Sequence, residues 1–190
     1  MTTEKLNLRF GILAVIIIVA AFSRIIPHMP NFSPLGAIGV FGVAHFSKKW
    51  LGVLIPITAT WLSDLFINNV IYAKYTTSFV WFYDGFYWQY GCYILIAIAA
   101  IFIVKKVNVQ NVFAGALASS AIFFLVSNFG VWISSTTYPH TFTGLMSCYT
   151  AGIPFFNSGT LPSDLFYAAI LFGGYAFAQY KVPALAVVKA

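Results

Sequence analysis

Residues 93–104 read YILIAIAAIFIV, an apolar stretch with no polar interruption. A second stretch of the same kind, GILAVIIIVAAF, occupies residues 11–22. A lipid bilayer requires about 20 mostly apolar residues per helical span, and backbone amides inside it must be satisfied within the helix. Strands of a membrane barrel would instead alternate in polarity over about ten residues. These unbroken stretches therefore predict an all-α membrane protein.

The composition supports the same class, since 61% of the residues are hydrophobic and only 7% are charged. Too little polar surface is left to cover a soluble globule. The first stretch follows Lys5 and Arg9, as a cleavable signal would, but no small-x-small cleavage site and polar mature domain come after it. We therefore interpret it as the first helix of a single integral membrane domain, residues 1–190.

Apolar periodicity and length predict six transmembrane helices. Their approximate bounds are residues 8–22, 34–46, 50–72, 87–104, 111–133 and 161–180. The second is short for a full crossing at about 1.5 Å per residue. It carries the small residues Gly36, Ala37, Gly39, Gly42 and Ala44. Small residues allow helices to approach closely, so we expect this helix to sit among the others.

Lysine and arginine predict the orientation, because positive residues resist translocation. With the N-terminus inside, the cytoplasmic side holds Lys5, Arg9, Lys48, Lys49, Lys105, Lys106, Lys181 and Lys189, whereas only Arg24 and Lys74 lie outside. Both termini are therefore expected in the cytoplasm of a bacterium, with the chain in its inner membrane. This placement and contact with anionic lipid headgroups account for the net charge of +6, so nucleic acid is not an expected partner.

The outer connections are longer and more varied than the basic inner turns. The last of them contains an apolar segment, Thr141 to Phe156, which we expect to lie on the membrane or to fold over a cavity as a lid. Recognition is therefore expected on the outer side.

Two aspartates lie inside predicted helices near their outer ends, Asp64 in WLSDLF and Asp164 in LPSDLF. A carboxylate at such depth is costly and usually marks a pairing partner or a ligand pathway. The alternative is that either acid caps a helix or pairs with Arg24. For Asp164 both interpretations stay open, whereas the mid-helix position of Asp64 favours a ligand or ion-pair role.

Other polar and aromatic side chains accompany these acids in the predicted outer half. The candidate substrate-binding residues are Arg24, His28, Asn31, Asp64, Asn68, Trp81, Trp88, Asn128, Trp132, His140 and Asp164. Aromatic faces with a few amides suit a pocket for a small polar or planar molecule. For most of the aromatics an interfacial belt explains the position equally well.

The sequence contains none of the common catalytic, nucleotide-binding or metal-binding motifs, so we expect no enzyme, no cofactor and no metal site. Its three histidines are scattered along the chain. Cys92 and Cys148 both fall on the predicted outer side, where a disulfide and two buried free thiols are both open interpretations.

The stretches RIIPHMPNFSPLGAIGVFGVAHF (24–46), FFLVSNFGVW (123–132) and YPHTFTGLMSCYTAGIPFF (138–156) resemble a family of small uncharacterised bacterial membrane proteins. That family is similar to the substrate-binding S components of energy-coupling-factor vitamin transporters. The resemblance implies a six-helix bundle, cytoplasmic termini and a vitamin site under the outer loops. S components usually present an AxxxA surface on helix 1, and Ala14, Ala20 and Ala21 do not keep that spacing.

The sequence thus predicts a membrane-embedded binding and transport subunit for a vitamin-like molecule taken from the periplasmic side. Its partners would be the lipid bilayer, the ligand, and either an energy-coupling subunit with its ATPases or another membrane complex. The alternative is an accessory subunit that packs against a larger inner-membrane complex through its small-residue helix 2 and its aromatic loops. An enzyme using Asp64 and Asp164 as acid and base has the least support, because no nucleophile or metal ligand accompanies them.

Overall fold

A computed structural model describes residues 3–182 and residue 185, and every regular element in that part of the chain is helical. The helices are α1 (Thr3–Phe22), α2 (Leu35–His45), α3 (Lys49–Phe66), α4 (Phe86–Ile103), α5 (Val109–Ser134), α6 (Phe142–Phe155) and α7 (Leu161–Lys181). Wider π-type turns at Ile67–Ile71 and Phe156–Thr160 extend α3 and join α6 to α7. Lys189 of the predicted cytoplasmic face lies outside the described residues.

The expectation of a multi-pass membrane protein agrees with this architecture. Five helical runs in the described residues are long and apolar enough to cross a bilayer. Their outward faces carry large apolar side chains, among them Val19, Phe102 and Phe177, which are more than half exposed. Such faces suit contact with lipid. The direction of the termini remains a prediction from charge.

Helix α2 is the centre of the bundle and packs against α1, α3, α4, α5 and α7. Nearly all of its residues are buried, which confirms that the short second helix sits among the others. Gly42 of α2 lies directly against the backbone of Gly52 of α3, where a Cβ on either residue would overlap the other backbone. The two glycines therefore allow α2 and α3 to approach closely.

The last connection is different from the prediction. Residues 142–155, expected as a surface segment or lid, form helix α6, which continues through the π-type turn into α7. The predicted sixth helix, residues 161–180, is α7 (Leu161–Lys181), and α6 is an additional helix that is continuous with it. Gly144, Gly152 and Gly159 are each placed where another chain segment approaches too closely for a side chain. They serve packing rather than turning.

We predict that Gly42→Ala lowers stability by about 1–3 kcal/mol, because the added methyl would press on the Gly52 carbonyl and backbone cannot move aside cheaply. The matched control is Gly173→Ala on α7, where nothing lies within 4 Å of the new Cβ. Thermal unfolding of the purified protein in detergent measures both. Equal unfolding midpoints for the two variants would contradict the close α2–α3 contact.

Candidate functional site

The repeated tetrapeptide SDLF at residues 63–66 and 163–166 belongs to a longer repeat, because a threonine precedes each serine by three positions. In both copies the serine hydroxyl donates to the carbonyl of that threonine, over 2.8 Å at Ser63 and 2.9 Å at Ser163. Both aspartates are buried. The two copies therefore share their local geometry and differ in the side chains that contact the carboxylate.

The Asp64 carboxylate is satisfied by two neighbouring elements. Arg24, in the short turn after α1, donates through Nη1 to Asp64 Oδ1 over 2.6 Å and to Ser63 Oγ over 3.1 Å. The Tyr90 hydroxyl of α4 donates to Asp64 Oδ2 over 2.7 Å. The structure thus contains the ion pair with Arg24 that the sequence left open, and it links α1, α3 and α4.

The Asp164 carboxylate has different surroundings. Ser120 of α5 donates to Asp164 Oδ2 over 2.8 Å. Gly36 of α2 lies so close that a Cβ there would overlap the carboxylate. The side chain is 3% exposed and does not cap α7, whose N-cap residue Thr160 precedes it. Among the residues that the structure describes, no basic side chain forms a salt bridge with it.

Asp164 lines a cavity of about 260 Å³, which we call the Asp164 cavity. Arg24, His28 and Asn31 also line it, so four of the predicted binding residues meet there. Ser119 of α5 faces the same space, and its buried hydroxyl lies beside the Asp164 carboxylate, with no well-aligned hydrogen bond to any other described residue. A cavity with a carboxylate, a guanidinium group and a hydroxyl on its wall is suited to binding a polar molecule.

A second cavity of about 370 Å³, the Asn128 cavity, lies alongside between α5 and α6. The two cavities share wall residues Asn31, Gln89, Phe123 and Thr160. Asn31 stands in the segment before α2 and has a φ of 61°, a left-handed conformation that asparagine adopts more readily than most residues. The two spaces are therefore neighbouring lobes separated by a few side chains.

Other predicted residues do not line these cavities. Asn68 is half-buried at the end of α3, and Asp64 lies behind Arg24. Trp81 is 60% exposed and stacks on Trp61, and Trp88 donates to Ser134 Oγ over 3.0 Å.

Trp132 and His140 also lie outside both cavities. The Trp132 indole donates to the Pro139 carbonyl over 2.9 Å, and its ring meets exposed His140 at 5.6 Å between centroids. This arrangement fits the belt interpretation of the aromatics better than the stacking one.

Several lining residues escaped the sequence analysis. Ser119 lines the Asp164 cavity and forms a polar pair with its neighbour Ser120 in an apolar helix, and Gln89 lies near the start of α4. A search for polar residues on the same helix turn would have found the serine pair. Tyr83 donates to Gln89 Oε1 over 2.7 Å, and burial together with the nearby Asp64 carboxylate raises the pKa of Tyr83, which keeps the phenol a donor.

The two cysteines do not pair with each other. Cys92 is a buried free thiol on α4. Cys148 is a buried free thiol on α6, and its Sγ donates to the Asn128 carbonyl over 3.3 Å. In the part of the chain that the structure describes, no group of three or more His, Cys, Asp or Glu residues is placed to hold a metal ion.

We predict that Arg24→Met destabilises the protein by about 3–5 kcal/mol, because Asp64 would be left buried without its cation. Adding Asp64→Leu should restore a large part of that loss, since the double variant buries no unpaired charge. Thermal unfolding in detergent gives the comparison, with Asp84→Asn in an exposed loop as the control. Additive losses in the double variant would contradict the coupling.

The chain was compared with known proteins and families. No curated protein and no solved structure matches it significantly. A family model described as a family of unknown function, DUF6580, matches residues 4–185. Because that match spans nearly the whole chain, the protein belongs to the DUF6580 family of unknown function.

Proposed function

We propose that the protein is a membrane-embedded binding and transport subunit that captures a vitamin-like small molecule at the end of the bundle that holds Arg24 and Asp164. The observation that carries the proposal is the Asp164 cavity, whose wall holds a buried carboxylate without a salt-bridge partner among the described residues and a buried serine hydroxyl beside it. Polar groups buried without partners are costly, and a bound ligand would satisfy them.

The size of the site supports a small organic molecule. The Asp164 and Asn128 cavities measure about 260 and 370 Å³, close to the lower end of typical ligand pockets. Phe123 lies in both walls, and Phe124 and Phe156 line the second lobe. Such aromatic faces would pack against a planar ring while the polar groups orient it.

Location and direction are further parts of the proposal. Apart from Arg24 and Lys74, the basic residues are expected at the end of the bundle opposite the cavities, as the positive-inside rule predicts for a cytoplasmic face. The cavities would then open toward the periplasm of a bacterial inner membrane. The resemblance to S components adds the expectation of an energy-coupling partner with ATPases, although another membrane complex suits the chain equally because helix 1 lacks the AxxxA spacing.

The accessory-subunit alternative loses one of its supports. It relied on the small residues of helix 2 as a protein interface, yet Ala37, Gly39 and Gly42 are buried inside the bundle by the chain's own helices. These residues already pack against the chain's own helices. A partner would have to contact the outer faces of other helices.

We expect native mass spectrometry of the detergent-purified protein to reveal a bound metabolite, and a panel of vitamins to raise its unfolding temperature. Gly36→Ala should abolish both effects, because the new methyl would overlap Ser119 Oγ and the Asp164 carboxylate and force these two groups out of place. The matched control is Gly39→Ala, one turn along the same helix, where the nearest atom is an ordinary contact at 3.7 Å.

The comparison requires that the Gly36→Ala variant is folded and monodisperse. Ser119→Ala is a second variant that changes the wall of the same cavity by removing only one hydroxyl. Absence of a metabolite together with no stabilisation by any vitamin would contradict the binding function. Stoichiometric recovery of a large membrane partner without an ATPase would instead favour the accessory subunit.

A further inference from the structure

The second copy of the repeated motif has no counter-ion among the residues that the structure describes. Asp64 in the first copy is neutralised by Arg24 at 2.6 Å, whereas Asp164 receives only hydroxyl and close backbone contacts in the described structure. A carboxylate that is 3% exposed in an apolar bundle is strongly favoured by a positive partner. The repeat therefore presents the same acid twice, once with its cation and once without.

The charges around the cavity can be assigned individually. Arg24 lines the cavity, but its charge is offset by Asp64, with which it shares the hydrogen bond described above. His28 is exposed, and its Nδ1 lies 2.8 Å from the Met29 carbonyl. Asp164 is thus the group whose charge is uncompensated, and the cavity carries a net negative charge when that carboxylate is ionised.

The atoms beside Asp164 form one small polar subsite. Ser119 Oγ is buried beside the carboxylate, and Ser120 Oγ donates to the carboxylate. The backbone of Gly36 closes the opposite side without a side chain. A group that donates several hydrogen bonds would satisfy both the carboxylate and the Ser119 oxygen, as an ammonium or protonated ring nitrogen does.

The space favours an organic molecule over a bare ion. The cavity of about 260 Å³ is far larger than one cation, and it borders the second lobe of about 370 Å³. Tyr93 and Phe123 form part of its wall. Aromatic faces also attract positive charge, which adds to the preference set by the carboxylate.

We infer that the ligand carries a protonated nitrogen, bound by Asp164 and Ser119, on a small aromatic or heteroaromatic body that packs on Tyr93 and Phe123. This inference rests on the proposed function, since it names the chemical class of the molecule that the site captures. The neutral or anionic members of a vitamin panel would accordingly bind weakly.

Matched amine and alcohol pairs test the inference. The probes are pyridoxamine against pyridoxine and tryptamine against tryptophol, measured by isothermal titration and thermal shift on the purified full chain. We expect the amines to bind at least about tenfold more tightly, the scale of a charge-assisted hydrogen bond. Asp164→Asn should remove most of that selectivity, whereas Asp84→Asn in the exposed loop should keep it.

The outcomes separate the inference from the proposed function. Equal binding of amine and alcohol, or selectivity that persists in Asp164→Asn, would overturn the inference and leave a binding protein. If no probe binds, the metabolite found by native mass spectrometry is the test. A metabolite without a basic nitrogen would overturn the inference, whereas a basic metabolite that binds the native protein and is absent from Asp164→Asn would support it.

A bare cation is a further possible outcome. If sodium chloride stabilises the protein, the amines do not, and Asp164→Asn loses this stabilisation, the inference of an organic ligand would be overturned. No metabolite and no probe binding would overturn both proposals.

Discussion

A charged side chain remains buried among apolar helices only where another group in the same bundle satisfies it. Arg24 and Asp64 meet this requirement through a 2.6 Å contact, and Tyr90 satisfies the second carboxylate oxygen. The pair thereby ties the end of α1 to α3 and α4. It also neutralises Arg24, the basic residue on the wall of the Asp164 cavity. The arrangement of charge at this end of the protein therefore follows from this one ion pair.

Close backbone approach is the second condition for the site. Helix α2 has only 11 residues, and it can occupy the centre because Gly42 accepts the backbone of Gly52. From that central position its first turn brings Gly36 against Asp164 and Ser119. A larger residue at Gly36 would collide with both side chains. The cavity is therefore a consequence of how the short helix packs, and His28 and Asn31 of the segment before α2 complete its wall.

The helices were largely predictable, because apolar stretches of about 20 residues have few alternatives in a membrane protein. Helix α6 was not, since Gly144, Gly152 and Pro154 suggest a loop when the segments packed against them are unknown. For the site, the sequence placed Arg24, His28, Asn31 and Asp164 together through their shared end of the bundle. It could not separate them from Trp81 or Trp132, because the sequence indicates the depth of a residue in the membrane but not the direction in which its side chain points.

The repeated motif shows why the two aspartates could not be told apart from sequence. Each follows the same threonine and serine, and each serine makes the same bond to that threonine's carbonyl. What distinguishes Asp64 from Asp164 comes from other helices, a guanidinium group in one case and a serine pair in the other. Local sequence thus specifies the hydrogen bond beside each aspartate on its helix, and tertiary packing specifies whether the carboxylate has a counter-ion. A carboxylate without a counter-ion is available to bind a ligand, which is why the second copy is the candidate site.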